Sequence, residues 1–342
     1  RGLTTIAVGA FFVLTAIALS VILGTAVGST NMPFKIGTYV VFNGDSAYYL
    51  PQCTISTNPY GGANGTYELL NCLAIQYNGT WVVVRFYYQS GDEGVILSLQ
   101  NQQYSSSPGA WTPWIYIGTN GYLYFGDATS SAAYQVSFQL NPGWHTLIAG
   151  EYFSGGTYYI IAYLDSTGNS KSTSTTYLPS LFGWYGPYPY GDIGTGYAQA
   201  WQNTNGAWFF YNGYIQYIVI YAGNTSKIEN ELTTWLATEG SNPSALPPSN
   251  LGVYGPYAEY TVQSFQGSVW YDESGNNNYA MLVSGTTAAS EATINATLTL
   301  GSLAPPLQTL KPLVTAIFIF GLVIIVVGVV QVIADQLNLK LF

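Results

Sequence analysis

The distribution of hydrophobic residues divides the chain into three parts. Residues 3–27 and 313–334 are almost continuously apolar and contain no charged residue. A helix needs about 20 apolar residues to cross a hydrocarbon core of about 30 Å. The sequence therefore predicts transmembrane helices at residues 1–30 and 312–342, with a lipid bilayer as their partner. A pair of buried core helices is the alternative interpretation, because such stretches are apolar on every face.

The region between these stretches alternates apolar and polar residues in short runs. Residues 134–140 (YQVSFQL) have the period of two that is typical of a half-buried strand, and an Asn-Pro-Gly turn sequence follows. Further runs rich in β-branched and aromatic residues predict strands at 80–88, 94–99, 114–117, 121–125, 144–152, 157–164 and 208–221. This cadence predicts a mainly β sandwich or barrel. We assign it to an ectodomain at residues 31–240, with a β-rich extension at 241–311 that completes the sandwich or forms a separate hairpin.

One helix signal interrupts the strands. Residues 224–226 (NTS) are typical of a helix N-cap, and apolar residues follow at helical spacing. The sequence therefore predicts a short helix that buries Ile228, Leu232 and Trp235.

Charged residues make up only 7% of the chain, against about 25% in ordinary soluble domains. With 48% hydrophobic and 16% aromatic residues, the chain has enough apolar surface to fold compactly. The net charge of −9 and the scarcity of basic residues exclude a nucleic-acid partner, which needs a basic surface. A surface with few ion pairs loses little when its carboxylates are protonated, so the composition is compatible with an acidic exterior. A neutral exterior is the alternative.

Two features of the middle region indicate an extracellular location. Cys53 and Cys72 predict a disulfide, worth about 3 kcal/mol in the chain-entropy model, which would form in an oxidising compartment. A pair of buried thiols is the alternative. Sequons for N-glycosylation occur at Asn64, Asn78, Asn224 and Asn295. Chance is a competing explanation for the sequons, because Asn, Ser and Thr are abundant.

Three motifs in order resemble a known family. They are VFNGDSAYYLP at 41–51, GWHTL at 143–147 leading into AYLD at 162–165, and YNGYI at 211–215 followed by the predicted helix. Together they resemble the laminin-G-like, concanavalin A-type jelly roll over roughly residues 36–236. The resemblance implies a jelly-roll sandwich, and the two transmembrane helices predicted from hydropathy would flank it. The chain departs from the family at Gln216, where an acidic residue is usual, and at Ser166, where a glycine is usual.

A fourth motif stands in an unexpected place. The sequence WYDESGNNNYAML at 270–282 resembles a family segment that normally precedes the first strand, but here it comes last. This order indicates a circular permutation, because the termini of a sandwich usually lie close together. We therefore predict that residues 262–282 pack beside the strand at residues 39–42. An independent hairpin is the alternative.

Candidates for catalysis are few. A glycosidase needs two carboxylates that flank the scissile bond. The adjacent pairs at 92–93 (DE) and 272–273 (DE) do not meet this need, because neighbours on a strand point to opposite faces. With His145 as its one histidine, the chain offers a single base for a Ser-His-Asp relay. We therefore expect no enzymatic activity and no catalytic residues.

Metal binding has candidates of a different kind. No His or Cys cluster has zinc spacing, whereas a hard cation such as Ca²⁺ prefers oxygen ligands from loops. The candidates are Asp45, Asp127, Asp165 and Asp192. Turn formation explains Asp45 and Asp165 equally well. We expect no cofactor, with Ca²⁺ as the one alternative.

The many aromatic residues allow two interpretations. Exposed Tyr and Trp beside Asn and Gly stack on sugar rings or form protein interfaces. On this interpretation the glycan-binding candidates are Trp184, Tyr185, Tyr188, Tyr190 and Trp201. The alternative is that tyrosine supplies strand packing and neutral polarity in a charge-poor protein.

The start of the chain, RGLTTI, resembles an archaeal type IV pilin or archaellin. That resemblance implies a processed N terminus and a filament core of apolar helices, although a pilin would lack the second apolar stretch. The sequence as a whole predicts a non-enzymatic structural protein, membrane-anchored with an extracellular ectodomain, on an archaeal cell or the envelope of an archaeal virus. Self-association into a lattice or oligomer is expected. The alternatives are a glycan-binding adhesin or receptor-binding protein, and a pilin-like filament subunit.

Overall fold

The computed structural model describes residues 32–127, 134–240, 242 and 245–298, with backbone only at 32–37 and 293–298. The two apolar stretches predicted to cross a membrane lie outside these residues. Within the described part, no helix has the length and hydropathy to cross a membrane. Gly37–Ala292 forms one compact unit, and the remainder of the chain belongs to a second unit that falls almost wholly outside the described residues.

The described part is mainly β. Its strands are β1 (Met32–Asn43), β2 (Tyr48–Tyr49), β3 (Gln52–Ile55), β4 (Gly65–Glu68), β5 (Gly79–Tyr88), β6 (Gly94–Gln100), β7 (Trp111–Ile117), β8 (Tyr122–Gly126), β9 (Gln135–Gln139), β10 (Gly143–Ser154), β11 (Thr157–Leu164), β12 (Ser170–Thr175), β13 (Tyr190–Ile193), β14 (Asn212–Ala222), β15 (Ala258–Thr261), β16 (Phe265–Gln266), β17 (Val269–Trp270), β18 (Ala280–Leu282) and β19 (Ser290–Leu298). Its α-helices are α1 (Leu69–Tyr77) and α2 (Ser226–Thr238), and 3₁₀ turns lie at Ser180–Phe182, Gly252–Tyr254 and Val262–Ser264.

The strands form two large antiparallel sheets. Sheet A is 8-stranded with the order β12-β11-β10-β5-β14-β1-β19, and β15 also pairs with β14. Sheet B is 9-stranded with the order β16-β17-β18-β2-β13-β6-β7-β8-β9. A separate hairpin joins β3 to β4. The mainly β prediction is therefore confirmed, as an antiparallel sandwich.

The largest hydrophobic core lies between the sheets. Val84 and Ile218 of sheet A and Leu97 and Trp114 of sheet B are each 0% exposed and belong to one cluster. The indole Nε1 of Trp114 also donates a hydrogen bond to Glu151 of sheet A, at 2.9 Å. Alternation along each strand places every second side chain in this layer, which is why the period-two pattern was informative.

Helix α2 covers the outer face of sheet A. Ile228, Leu232 and Trp235 are buried there, as predicted. They pack against outward-facing sheet residues that include Trp81 and Tyr221. Because α2 buries this face, both faces of the central strands of sheet A are apolar, and β5 is buried along nearly its whole length.

The C-terminal end of α2 is held by a cation. The Nη1 atom of Arg85 donates to the carbonyl oxygen of Gly240 and to the hydroxyl of Thr146, both at 2.8 Å. The guanidinium lies 5.3 Å from the ring centroid of Trp144. A cation favours the negative end of a helix dipole, so Arg85 fixes the helix to the sheet.

Helix α1 was not predicted. Its sequence LLNCLAIQY is apolar on nearly all faces, and residues 69–75 are buried against the core. The Glu68 carboxylate accepts hydrogen bonds from the backbone N–H groups of Leu70 and Asn71, both at 2.8 Å. Cys72 in this helix is joined by a disulfide to Cys53 in β3, with 6.2 Å between the Cα atoms. The two cysteines that the sequence pairs are thus bonded in the structure.

The placement of residues 262–282 corrects the sequence analysis. The segment forms β16, β17 and β18, and β18 pairs with β2 in sheet B, whereas β1 lies in sheet A between β14 and β19. The segment therefore does not lie beside residues 39–42 in one sheet, and that prediction is wrong. The two segments meet across the core, where the ring centroids of Phe42 and Trp270 are 6.3 Å apart. The chain passes from sheet A to sheet B between β1 and β2. Because β18 pairs with β2, the strands β16, β17 and β18 extend sheet B and not sheet A.

Candidate functional site

The five aromatic residues predicted to bind glycan do not form one surface. Tyr185 is 73% exposed, but Tyr188 is 1% exposed and belongs to the core. The ring of Trp184 makes an edge contact with that of Tyr185 at 4.9 Å, and Tyr190 packs on Tyr49 of β2 at 5.6 Å. Only the loop around Tyr185 is therefore free to bind a ligand through its exposed ring.

Trp201 lies elsewhere, in the segment that covers the outer face of sheet B. Its ring packs against Tyr116 of β7 at 6.5 Å. In the same segment, Tyr197 lies between Trp111 and Trp208, with centroid distances of 5.0 and 5.6 Å. These rings pack against one another, so the region is a packed aromatic layer.

The four aspartates proposed as calcium ligands occupy separate places. Asp45 is an exposed turn residue, and Asp165 bonds to His145 and to the backbone of Thr146. Asp192 is buried within β13, and Asp127 is buried directly after the end of β8. Among the described residues, no group of three or more His, Cys, Asp or Glu side chains is placed to hold a metal ion.

His145 and Asp165 form the ion pair of the described region. The Nδ1 atom lies 2.7 Å from Asp165 Oδ2, and Nε2 lies 2.7 Å from the Asn141 carbonyl oxygen. Burial lowers the pKa of His145, but the hydrogen bond and charge of Asp165 outweigh burial, so the pKa is raised. Both imidazole nitrogens are engaged and the ring is 7% exposed. This histidine links β10 to β11 and is not positioned as a catalytic base.

Four carboxylates lie in the interior of the unit, each 1% exposed or less. They are Glu68, Asp127, Glu151 and Asp192. In the part of the chain that the structure describes, no Lys or Arg side chain forms an ion pair with any of them. Charged groups are costly to bury without a partner, so burial favours the protonated acid.

The pKa values follow from this burial. Burial raises the pKa of Glu68 to about 8, against the lowering effect of the helix N–H groups that it caps. It raises the pKa of Asp192 to about 8, with Gln100 as the opposing hydrogen-bond donor. Burial also raises the pKa of Asp127 and of Glu151, and the charge of Asp127 raises that of Glu151 further. The interior acids are therefore neutral in acidic surroundings.

The adjacent acidic pairs have structural roles. Asp92 accepts a hydrogen bond from the Gln89 backbone at 2.8 Å. Asp272 organises the DESGNNN loop, because its two oxygens accept bonds from the backbone N–H groups of Glu259, Ser274 and Asn278 at 2.8 to 2.9 Å. These contacts explain the motif at 270–282 as a loop that closes on its own aspartate.

One surface feature was missed by the sequence analysis. A groove of about 340 Å³ lies on sheet A, between β10, β11 and the edge strand β12. It is lined by Tyr152, Tyr159, Ile160, Ile161, Ser172, Thr173 and Ser174. None of these side chains is charged. Register creates this groove: Tyr152 pairs with Tyr159, and Tyr159 pairs with Ser174, so the three side chains share one face.

The comparisons with known proteins show only remote likeness. No protein-family model matches the chain, and no curated protein matches it. Among solved structures, tailspike protein 2 from Escherichia coli O157:H7 bacteriophage CAB120 is 11% identical, with a TM-score of 0.29 over 58% of this chain and 28% of the tailspike. The CBM40 of the Ruminococcus gnavus IT-sialidase is 10% identical, with a TM-score of 0.31 over 55% of this chain and 92% of that one. The chain thus corresponds to less than a third of the tailspike. Likeness at this level says nothing about function.

Proposed function

We propose that this chain is a non-enzymatic structural protein on the surface of a cell or a virus. It is anchored in a lipid bilayer by the apolar stretches and displays the β-sandwich outside, as a coat or envelope component of an archaeal virus or as part of an archaeal cell surface. The archaeal assignment rests on the resemblance of residues 1–6 to a type IV pilin. Copies are expected to associate laterally into a lattice or oligomer.

The observation that supports the proposal best is the way the unit is stabilised. Its interior holds carboxylates that have no basic partner among the described residues, and burial raises their pKa values so that they are neutral in acid. Neutral hydroxyl and amide groups replace the ion pairs that most surfaces carry, since only 7% of the residues are charged. Such a protein keeps its core intact where carboxylates are protonated, which is a property useful outside an acid-living cell.

The disulfide supports the same location. The bond between Cys53 and Cys72 ties β3 to α1 and leaves no free cysteine in the described part. Disulfides persist in oxidising compartments and are rare in the cytosol of most organisms. Mass spectrometry of native protein alkylated without reduction is expected to find the Cys53–Cys72 linked peptides. Two alkylated thiols would contradict an oxidising exterior.

Imaging tests the proposal as a whole. Cryo-electron microscopy of the native particle or envelope is expected to show sandwiches outside a lipid layer that is crossed by helices of this chain. A lipid-free core of packed helices would make the chain a pilin-like filament subunit and would overturn the proposal. A sandwich inside the lipid layer would also overturn it.

A second candidate function is glycan binding, as in an adhesin or receptor-binding protein. The specific observation that favours it is the uncharged groove on sheet A, where aromatic rings and hydroxyl groups lie side by side. Aromatic faces with adjacent polar groups are the usual means of recognising sugars, which combine C–H faces with hydroxyl rims.

A further inference from the structure

We propose that the groove bounded by Tyr152, Tyr159, Ser172 and Ser174 is a binding site for a neutral glycan, with the outer face of the Tyr159 ring as its stacking surface. The proposal rests on the second candidate function and is independent of membrane anchoring. The site is distinct from the loop around Tyr185 and from the aromatic layer on sheet B.

An incomplete stack of aromatic rings ends in the groove. Trp81 stacks on Tyr152 with 5.7 Å between centroids and 14° between planes, and Tyr152 stacks on Tyr159 at 5.3 Å and 21°. Trp81 is 0% exposed and Tyr159 is 37% exposed, so the stack runs from the interior to the surface. Within the described residues no further ring lies against Tyr159. The last ring therefore presents an open face and is backed by Tyr152 and the buried Trp81.

A row of hydroxyl groups lies beside the open face of Tyr159. Ser174 lies directly opposite Tyr159, and Ser172 directly opposite Ile161, on the exposed edge strand β12. Neither serine hydroxyl has a hydrogen-bond partner within the described part of the chain. Alternate residues of a strand are about 7 Å apart, so the two hydroxyls flank the groove along its length. Hydroxyls that both donate and accept suit a polyhydroxylated ligand.

The charges in and around the groove favour a neutral ligand. The lining side chains are all uncharged. The carboxylate of Glu229 on α2 accepts a hydrogen bond from Tyr163 and lies close enough to raise the pKa of Tyr152, after the larger effect of burial. A negative charge beside the groove disfavours acidic sugars and phosphates. The uncharged lining and the nearby carboxylate therefore favour neutral hexoses or N-acetylhexosamines. The pyranose ring of such a sugar would continue the stack of rings.

Binding by the full chain tests the site. The protein is purified in a detergent without a sugar headgroup, since a glycoside detergent would compete. The probes are the neutral hexasaccharides cellohexaose, mannohexaose and chitohexaose, measured by isothermal titration calorimetry. We expect at least one to bind, and Tyr159→Ala to weaken that binding at least tenfold. Tyr159→Phe keeps the ring and is expected to stay within about threefold of the original affinity.

Matched variants separate the site from the fold. Tyr185→Ala removes a more exposed tyrosine from the other candidate loop and is expected to leave binding unchanged. The double variant Ser172→Ala with Ser174→Ala, on exposed positions, is expected to weaken binding at least threefold without changing the melting temperature. Binding that survives Tyr159→Ala but is lost in Tyr185→Ala would overturn this site while keeping glycan binding. No binding of any probe would overturn both.

Discussion

At the scale of single residues, Arg85, Asp165 and Asp272 each have defined structural partners. Arg85 fixes the end of α2, Asp272 closes a loop, and Asp165 joins β10 to β11 through His145. The motifs GWHTL and AYLD contain His145 and Asp165, and the structure brings these two residues into contact because β10 and β11 are adjacent. The sequence order alone could place these residues on neighbouring strands, but it could not show which atoms meet.

The His145–Asp165 pair gives the first prediction. Asp165→Asn keeps an Oδ1 atom for the Thr146 N–H and removes the charge, so the pKa of His145 is expected to fall. A proton-NMR titration reports it directly, because the chain has one histidine. The pair's contribution to stability is fully present below the ordinary pKa of about 6.5 and is lost as the pH rises through the raised value. Asp45→Asn, at an exposed turn, is the control. An unchanged pKa in Asp165→Asn would contradict the assigned cause.

Sequon accessibility gives a second prediction. Asn64 and Thr66 are both exposed, whereas the hydroxyl of Thr80 in the Asn78 sequon is buried and donates to Leu70 O at 2.8 Å. The Asn224 amide likewise donates to a backbone oxygen. A transferase acting on the folded chain is expected to modify Asn64 and leave Asn78 and Asn224 bare. Glycopeptide mass spectrometry of native protein checks this. A glycan on Asn78 with Asn64 bare would contradict it. The side chain of Asn295 lies outside the described residues.

At the scale of elements, helix α2 shows what a sequence can predict. The sequence predicted the segment that contains its N-cap and three of its four buried residues, missing Leu236, because apolar residues recur there at helical spacing and a turn sequence precedes them. Helix α1 was missed because its nine residues lack a polar face and its cap is a glutamate, which is not a typical N-cap residue. An apolar run of that length is compatible with a buried strand as well.

Burial of α2 predicts the effect of a core substitution. Leu232 is 0% exposed between the helix and sheet A. Leu232→Ala is expected to lower the free energy of unfolding by about 2–5 kcal/mol, because it removes apolar contacts and leaves a cavity. Thr234→Ala, on the exposed side of the same helix, is expected to stay within about 0.5 kcal/mol. Urea unfolding of both variants measures the difference. Equal stabilities would mean that the helix does not pack on the sheet.

The ring stack depends on a glycine. A Cβ atom at Gly150 would lie 2.4 Å from the Trp81 ring, so only glycine lets the indole lie flat on β10. Gly150→Ala is expected to cost about 1–3 kcal/mol through overpacking and to displace the stack. Gly168→Ala is the control, because a Cβ there would meet nothing within 4 Å. Thermal unfolding of the two variants is the measurement. Equal melting temperatures would contradict the packing of Trp81 on Gly150.

The groove itself was beyond sequence analysis. Tyr152, Tyr159 and Ser174 lie on three strands, and they share a face only because of the strand register. Register is set by turns and by packing across the sheet, which a single sequence does not reveal. The same limit explains why the aromatic run at 184–190 was misjudged, since the burial of Tyr188 depends on the segments that cover it.

At the scale of the whole molecule, the sandwich is closed by segments from distant parts of the chain. β15 completes sheet A and β18 extends sheet B, although both follow the predicted ectodomain boundary at residue 240. The late DESGNNN motif therefore marks strands that belong to the sandwich. The sequence analysis predicted that this segment closes the sandwich but placed it beside β1 in sheet A. The segment joins β2 in sheet B, because β1 and β2, which follow one another in the chain, belong to different sheets.

The interior acids make a prediction for the whole unit. Glu68 and Asp192 have folded pKa values of about 8, above the ordinary values of 4.5 and 3.8. A raised pKa means that the folded state binds the proton more tightly than the unfolded state. The contribution of these two groups to the free energy of unfolding is therefore fully present below about pH 4 and is lost as the pH rises from 4 towards 8. Each pKa unit corresponds to about 1.4 kcal/mol. Asp192→Asn, a neutral side chain of the same shape, is expected to flatten this loss.

Measuring the free energy of unfolding of the full chain at pH 4 and at pH 8 tests most directly the proposal that the protein is stable in an acidic exterior. Urea titrations at the two pH values, with the disulfide intact, are sufficient. We expect the unfolding free energy to be larger at pH 4 by several kcal/mol and Asp192→Asn to narrow the gap. Greater stability at pH 8 would contradict this expectation, because the interior carboxylates would then be stabilised as charges.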